Sequence, residues 1–180
     1  MVFFNVRELE LRKVPFEEEF PPGEIDFDPE FLRQVGTIRA RGVAELLNNT
    51  LGEIRVRGTV SVDLEVACDR CLEPVRMPLD RDFDLFYRPA PTDDLPHDLA
   101  IDAGESEIGF YEGLGIDSKE ILREFILLSM PMQQICDESC RGICSRCGEN
   151  LNTGSCDCVV EAVNDRWSAL RDWKTAPERS

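Results

Sequence analysis

The spacing of eight cysteines constrains this chain more than any other feature of its sequence. They are Cys68, Cys71, Cys136, Cys140, Cys144, Cys147, Cys156 and Cys158. The N-terminal residues have no basic segment, apolar segment or cleavage site of a signal peptide, and no apolar run approaches the ~20 residues of a membrane span. The sequence therefore predicts a cytoplasmic protein with no membrane contact, in which clustered reduced thiols indicate metal or redox chemistry rather than disulfides.

The C-terminal cysteines have the spacing of a zinc site. Cys144-Ser145-Arg146-Cys147-Gly148 has the form of a zinc knuckle, in which two thiolates bind one ion and the glycine permits the tight turn. Cys156 and Cys158 follow closely enough for a short hairpin to bring them back to this pair. We predict that Cys144, Cys147, Cys156 and Cys158 form a first all-cysteine tetrahedral site, which is typical of structural rather than catalytic zinc.

The other four cysteines predict a second site by elimination. Cys68 and Cys71 lie between two predicted strands, and Cys136 and Cys140 would share one face of the segment if it were helical. A site made of Cys68, Cys71, Cys136 and Cys140 would join the strands to the C-terminal segment. A rival grouping moves Cys136 or Cys140 into the C-terminal site and leaves Cys68 and Cys71 as a free dithiol. One or two zinc ions are therefore expected.

Alternating apolar and polar residues predict an antiparallel sheet. Three runs, at 37–47, 54–66 and 75–87, place apolar side chains on one face and charged or hydroxyl side chains on the other. Short connections between the runs favour a β-meander. Pro74 and Pro78 cannot donate to a ladder, so the third strand is expected to begin late or to lie at an edge.

The rest of the chain completes an α+β prediction. An acidic loop is expected over 89–116, with a short strand near 108–111, and then a packing helix that begins at the N-cap Asp117 and ends before Pro131. A second amphipathic helix is expected after the last cysteine; its apolar side would hold Val160, Val163, Trp167 and Leu170. We expect an antiparallel α+β domain over 1–130 and a cysteine-rich zinc module with the C-terminal helix over 131–180.

The charge and the remaining motifs argue against an enzyme and against a nucleic-acid coat. The net charge is −16, whereas affinity for nucleic acid depends on Lys and Arg. The single histidine, His97, has no nucleophile near it in sequence, and no nucleotide-binding glycine motif is present. No small-molecule substrate is expected. Four arginines on adjacent strands either contact RNA phosphate or form ion pairs with acids, and the charge balance favours ion pairs; they are Arg39, Arg41, Arg55 and Arg57.

Three stretches resemble a known family. They are Val66-Ala67-Cys68-Asp69-Arg70-Cys71-Leu72, Leu128-Ser129-Met130-Pro131, and the cysteine cluster from Cys136 to Leu151-Asn152. In these residues the chain resembles the YceD-like family, which is named for large ribosomal RNA subunit accumulation. The order of elements is also similar to that of the family: strands, Cys-x2-Cys pair, acidic stretch, helix and cysteine cluster. The resemblance covers roughly residues 36–158.

The resemblance implies a non-enzymatic role in ribosome biogenesis that supports large-subunit ribosomal RNA. We expect such a factor to act through a large-subunit ribosomal protein or a pre-ribosomal particle, with at most weak or indirect contact to ribosomal RNA. Two alternatives stay open from the residues alone. One is a thiol redox protein that uses Cys68 and Cys71. The other is a direct RNA-binding module, for which the four arginines named above are the candidate contacts.

Overall fold

The computed structural model describes residues 1–28, 32–50, 52–90 and 108–158. Within these ranges the chain forms eight strands and two helices. In chain order they are β1 Phe3–Asn5, α1 Val6–Leu9, β2 Val14–Phe20, β3 Arg33–Gln34, β4 Ile38–Leu46, β5 Ile54–Ala67, β6 Pro74–Pro89, β7 Ile108–Tyr111, β8 Gly115–Asp117 and α2 Ser118–Leu128. No helix in the described ranges is long and apolar enough to span a membrane.

The main sheet contains the predicted meander. Strands β4, β5 and β6 are antiparallel neighbours in the order β2-β4-β5-β6-β7, with β3 also paired to β5. Because β5 and β6 pair from Ile54↔Tyr87 to Ala67↔Pro74, the third strand does not begin late. Its first part instead lies at an edge among the described strands, since β7 pairs only with Phe86–Pro89. Pro74 and Pro78 therefore occupy the position where a missing N–H group is tolerated.

The sheet is not purely a meander. Strand β7 pairs parallel to β6, which the alternation pattern could not indicate, and β1 pairs with β8 in a separate two-stranded ribbon. The predicted loop over 89–116 begins one residue too early, because Pro89 belongs to β6. The expected strand at Ile108–Tyr111 is confirmed, and Gly115–Asp117 forms a further strand that was not predicted. Residues 91–107, including His97, lie outside the described residues.

The core lies between the apolar face of the sheet and α2. The inward residues of β5, from Ile54 to Val66, are almost fully buried. Helix α2 begins at Asp117, whose side chain accepts a hydrogen bond from the Lys119 N–H group at 2.9 Å, as an N-cap does. Phe125 packs against Phe83 of β6 with ring centroids 5.4 Å apart. Leu128, the last residue of α2, is 78% exposed and lies outside this contact. The predicted C-terminal helix lies outside the described residues.

Candidate metal centre

The connection between β5 and β6 forms the first knuckle. It places Cys68 and Cys71 at one end of the two longest strands. The Leu72 N–H group donates to the Cys68 carbonyl at 2.9 Å, and Leu72 has φ 64°. The left-handed conformation is costly for leucine, by about 1–2 kcal/mol. The turn is therefore held by its surroundings rather than by local preference.

The second knuckle repeats this geometry with a glycine. The Gly148 N–H group donates to the Cys144 carbonyl at 2.9 Å, and Gly148 has φ 75°. The expectation that the glycine after Cys147 permits the turn is confirmed. In both knuckles the residue after the second cysteine turns the chain back, so that the two thiols of each pair face the same point.

Cluster 1 is the group Cys68, Cys71, Cys136 and Cys140, whose four sulfur atoms all lie within 4.8 Å of one another. The Sγ atoms of Cys68 and Cys140 are 4.0 Å apart, and those of Cys71 and Cys136 are 3.7 Å apart. All but Cys136 are buried. The segment that carries Cys136 and Cys140 is not helical, so these two cysteines do not meet on one face of a helix. A turn brings them together, in which the Cys140 N–H group donates to the Asp137 carbonyl at 3.0 Å.

Cluster 2 is the group Cys144, Cys147, Cys156 and Cys158, whose sulfur atoms likewise lie within 4.8 Å of one another. Cys144 is buried, Cys147 is exposed, and the other two are half-buried. The hairpin that carries the second knuckle is closed by a bridge between Ile143 and Asn150. The structure thus groups the eight cysteines in two sets of four, and Cys68 and Cys71 do not stand apart as a dithiol.

The sulfur separations match a tetrahedral zinc ion. With Zn–S bonds of about 2.3 Å, four sulfurs at tetrahedral corners lie about 3.8 Å apart. The separations of 3.7 and 4.0 Å in cluster 1 are close to this value. They are far from the disulfide bond length of about 2.05 Å, and all eight cysteines are free. Four thiolates with no carboxylate or imidazole are a donor set that favours Zn²⁺ and leaves no coordination position open.

The thiol pKa values within each cluster diverge. Burial raises the pKa of Cys68, but backbone N–H groups of Cys71, Arg70 and Cys136 directed at its sulfur outweigh burial and lower the pKa to about 6. The N–H groups of Cys147 and Arg146 lower the pKa of Cys144 to about 6.

In each cluster, neighbouring sulfurs have the opposite effect. The hydrogen bond with the Cys140 sulfur, with burial, raises the pKa of Cys136 to about 12, and the hydrogen bond with the Cys147 sulfur, with burial, raises the pKa of Cys158 to about 12. Four negative charges this close repel, so the last protons leave only when a cation replaces them.

Two polar residues support cluster 1, and the cysteine spacing did not indicate this role. Asn152 donates from Nδ2 to the Cys140 Sγ atom at 3.3 Å. Arg70 donates from Nη1 to the carbonyls of Glu138 and Cys140, each at 3.0 Å. Asn152 stands between Cys147 and Cys156 in sequence yet serves a ligand of the other cluster. Cysteine spacing carries no signal for such a contact.

Two of the four arginines, Arg39 and Arg55, form ion pairs of the kind that the charge balance favoured. Arg55 makes two hydrogen bonds to Asp84, at 2.7 and 2.6 Å, and Arg39 contacts Glu19 at 3.1 Å. Arg41 donates to the Thr59 hydroxyl at 3.4 Å. The hydrogen bonds from Arg55 are the main reason that the pKa of the Asp84 carboxyl is lowered. The nearby charge of Arg57 lowers this pKa further. This sheet face is a mixture of both charges rather than a basic patch.

Comparison with known proteins adds a family assignment. A family model described as "Large ribosomal RNA subunit accumulation protein YceD" matches residues 56–174, a range that begins in β5 and contains all eight cysteines. Two similar proteins are chloroplastic YCED homologs 1, from Zea mays and Arabidopsis thaliana. They are 29% identical over 62% of this chain and 28% identical over 66% of it, respectively.

A further relative is an uncharacterized protein of Mycobacterium tuberculosis, 29% identical over 65% of this chain and 54% of its own length. The matches cover 46% and 43% of the maize and Arabidopsis proteins, so this chain spans less than half of those relatives. No solved structure matches the chain. Since the family model covers well over half of the chain, including both cysteine clusters, the chain belongs to the YceD family of large ribosomal RNA subunit accumulation proteins.

Proposed function

We propose that this protein is a non-catalytic ribosome-biogenesis factor that supports large-subunit ribosomal RNA accumulation and holds two structural zinc ions. The observation that carries the proposal is the family match over 56–174, which takes in both four-cysteine clusters. In this proposal Cys68, Cys71, Cys136 and Cys140 bind one ion, and Cys144, Cys147, Cys156 and Cys158 bind the other. Their thiolate donor sets support zinc, because four protein ligands close the site and leave no position for a substrate.

Zinc in cluster 1 would join the two parts of the proposed domain division. Cys68 and Cys71 belong to the domain over 1–130, and Cys136 and Cys140 belong to the module over 131–180. A single ion would therefore fasten the module to the end of β5 and β6. Burial of Cys68 and Cys71 also disfavours the redox alternative, since both thiols are withdrawn from solvent and surrounded by other cysteines.

The partner we propose is a large-subunit ribosomal protein or a pre-ribosomal particle, met in the cytoplasm. A net charge of −16 complements basic ribosomal proteins and repels bare RNA phosphate. The ion-paired arginines of the sheet support the same interpretation, because their charges are partly neutralised by Glu19 and Asp84. Direct contact with ribosomal RNA would then be weak or indirect.

Deletion of the gene in its source organism tests the proposal. We expect the ratio of large-subunit to small-subunit ribosomal RNA to fall, and to recover when the wild-type protein or the Ser145→Ala control is supplied. Cys144→Ser should fail to restore it, because it removes a proposed zinc ligand while Ser145→Ala leaves the ligands intact. Unchanged ribosomal RNA after deletion would contradict the proposal. Failure of an Arg39→Gln, Arg41→Gln variant that still folds would instead favour the direct RNA-binding module.

Zinc affinity is expected to fall as pH falls, because protons and zinc compete for the same sulfurs. Two thiols in each cluster have pKa values raised above 9.0: Cys71 and Cys136 in cluster 1, and Cys156 and Cys158 in cluster 2. Each ion must therefore displace at least two protons below pH 9, which corresponds to about a 100-fold loss of affinity per pH unit. Below pH 6 Cys68 and Cys144 also take up protons and the loss steepens. Competition with a chelator at several pH values measures this slope, and a flat profile would contradict thiolate coordination.

A further inference from the structure

Cluster 2 and cluster 1 are connected by hydrogen bonds that do not pass through any metal. The Ile143 N–H group, beside Cys144, donates to the carbonyl of Arg70, which lies between Cys68 and Cys71, at 3.0 Å. The approach is close, since a Cβ atom on Gly142 would lie 2.9 Å from that carbonyl oxygen. Asn150 Nδ2 also donates to Glu73 Oε1 at 3.2 Å. The hairpin of the second knuckle therefore rests directly on the first knuckle.

Asn152 makes the contact that reaches a ligand of cluster 1. Its Oδ1 atom accepts a hydrogen bond from the Arg141 N–H group at 2.8 Å, which fixes the orientation of the amide. The Nδ2 atom is consequently aimed at the Cys140 Sγ atom, 3.3 Å away. The backbone N–H group of Asn152 donates to Asn150 Oδ1 at 3.0 Å, which holds the residue in place from the hairpin side.

The position of Asn152 in the chain ties this contact to cluster 2. It lies in the stretch between Cys147 and Cys156, so an ion held by cluster 2 closes the loop that carries it. Four thiolates and one Zn²⁺ leave a net charge of −2 in cluster 1, and an N–H donor to a thiolate stabilises that charge. Such donors to metal ligands are typically worth 10–100-fold in metal affinity.

We infer that the two clusters bind zinc cooperatively and that Asn152 is the positioning residue that couples them. Loading of cluster 2 orders the loop between Cys147 and Cys156, and Asn152 then donates to Cys140 and strengthens cluster 1. The coupling is reciprocal, because linkage requires each ion to raise the affinity of the other site by the same factor. This inference rests on the zinc part of the proposed function. It adds that zinc binding at one cluster raises the zinc affinity of the other.

The test measures zinc affinity site by site in the full chain, by competition with a chromophoric chelator. Alkylation followed by mass spectrometry identifies which cysteines are protected. Cys147→Ser removes an exposed ligand of cluster 2 and is expected to lower the affinity of cluster 1 about 10-fold or more. Asn152→Ala should keep both ions yet lower the affinity of cluster 1 by about 10–100-fold. Thr153→Ala, at the next residue and without a contact to sulfur, is the matched control and should change neither site.

The double variant Asn152→Ala, Cys147→Ser identifies the route of the coupling. If Asn152 carries it, the double variant should bind zinc in cluster 1 no more weakly than Asn152→Ala alone. Equal cluster 1 affinity, within about twofold, in Cys147→Ser, Asn152→Ala and wild type would overturn the inference while leaving the two zinc sites standing. A wild-type protein that binds no zinc would instead overturn the proposed metal function, and this inference with it.

Discussion

Removal of zinc is expected to unfold residues 131–158 while the main sheet stays folded. In this segment Cys140, Gly142 and Cys144 are the buried residues, and the main hydrophobic core contains none of the segment's side chains. Segments shorter than about 40 residues rarely fold without a metal, a disulfide or a partner. Structural zinc supplies roughly 10–16 kcal/mol of apparent binding energy in small peptides, far more than this segment gains from apolar burial.

Amide hydrogen exchange before and after chelation measures the effect. Protection should be lost at Cys140, Cys144 and Gly148, whose N–H groups are hydrogen-bonded within the segment, and retained at Val60 in the middle of β5. Re-addition of zinc should restore it, and Ser145→Ala should behave as wild type. Persistent protection of the segment in the metal-free protein would show that the metal is not what holds it.

The sequence predicted the structure best where a single chemical requirement, such as burial of an apolar side chain or binding of a metal ion, determines which residue stands at a position. Alternation in β5 predicted a buried face because the apolar residues from Ile54 to Val66 recur at every second position except Gly58, and the structure buries these side chains. The Cys144-Ser145-Arg146-Cys147-Gly148 stretch likewise predicted the second knuckle, whereas the knuckle at Cys68 and Cys71 was not predicted. The grouping of cysteines distant in sequence could be reached only by counting, since the turn at Asp137–Cys140 depends on hydrogen bonds and not on residue periodicity.

Long-range pairings were beyond the reach of the sequence patterns. The parallel contact of β7 with β6 joins residues on either side of an acidic stretch, and nothing in the alternation distinguishes parallel from antiparallel neighbours. The sequence patterns did not predict the contact of Asn152 with Cys140 for a similar reason. A single amide has no periodic neighbour, and its meaning appears only when the hairpin is placed against the first knuckle.

Gly58→Ala is expected to destabilise the sheet as strongly as the loss of a core side chain. Gly58 of β5 faces Gly42 of β4 in register, and the two backbones approach so closely that neither position has room for a side chain. A Cβ atom on Gly58 would lie 2.2 Å from the Arg41 carbonyl oxygen, and one on Gly42 would lie 2.3 Å from the Arg57 carbonyl oxygen. Because these are backbone atoms, they cannot rotate away, and the strands would have to separate.

We expect Gly58→Ala to cost roughly 3 kcal/mol, the upper end of the usual range for overpacking. For a chain of 180 residues this corresponds to a fall in Tm of about 6–12 °C. Ser61→Ala, on the opposite face of the same strand, is the matched control and should change Tm little. Thermal unfolding of the zinc-loaded proteins measures the difference. A Gly58→Ala protein that melts within a degree of the Ser61→Ala control would mean that β4 and β5 can move apart locally, and that the paired glycines are not required by the close approach of these strands.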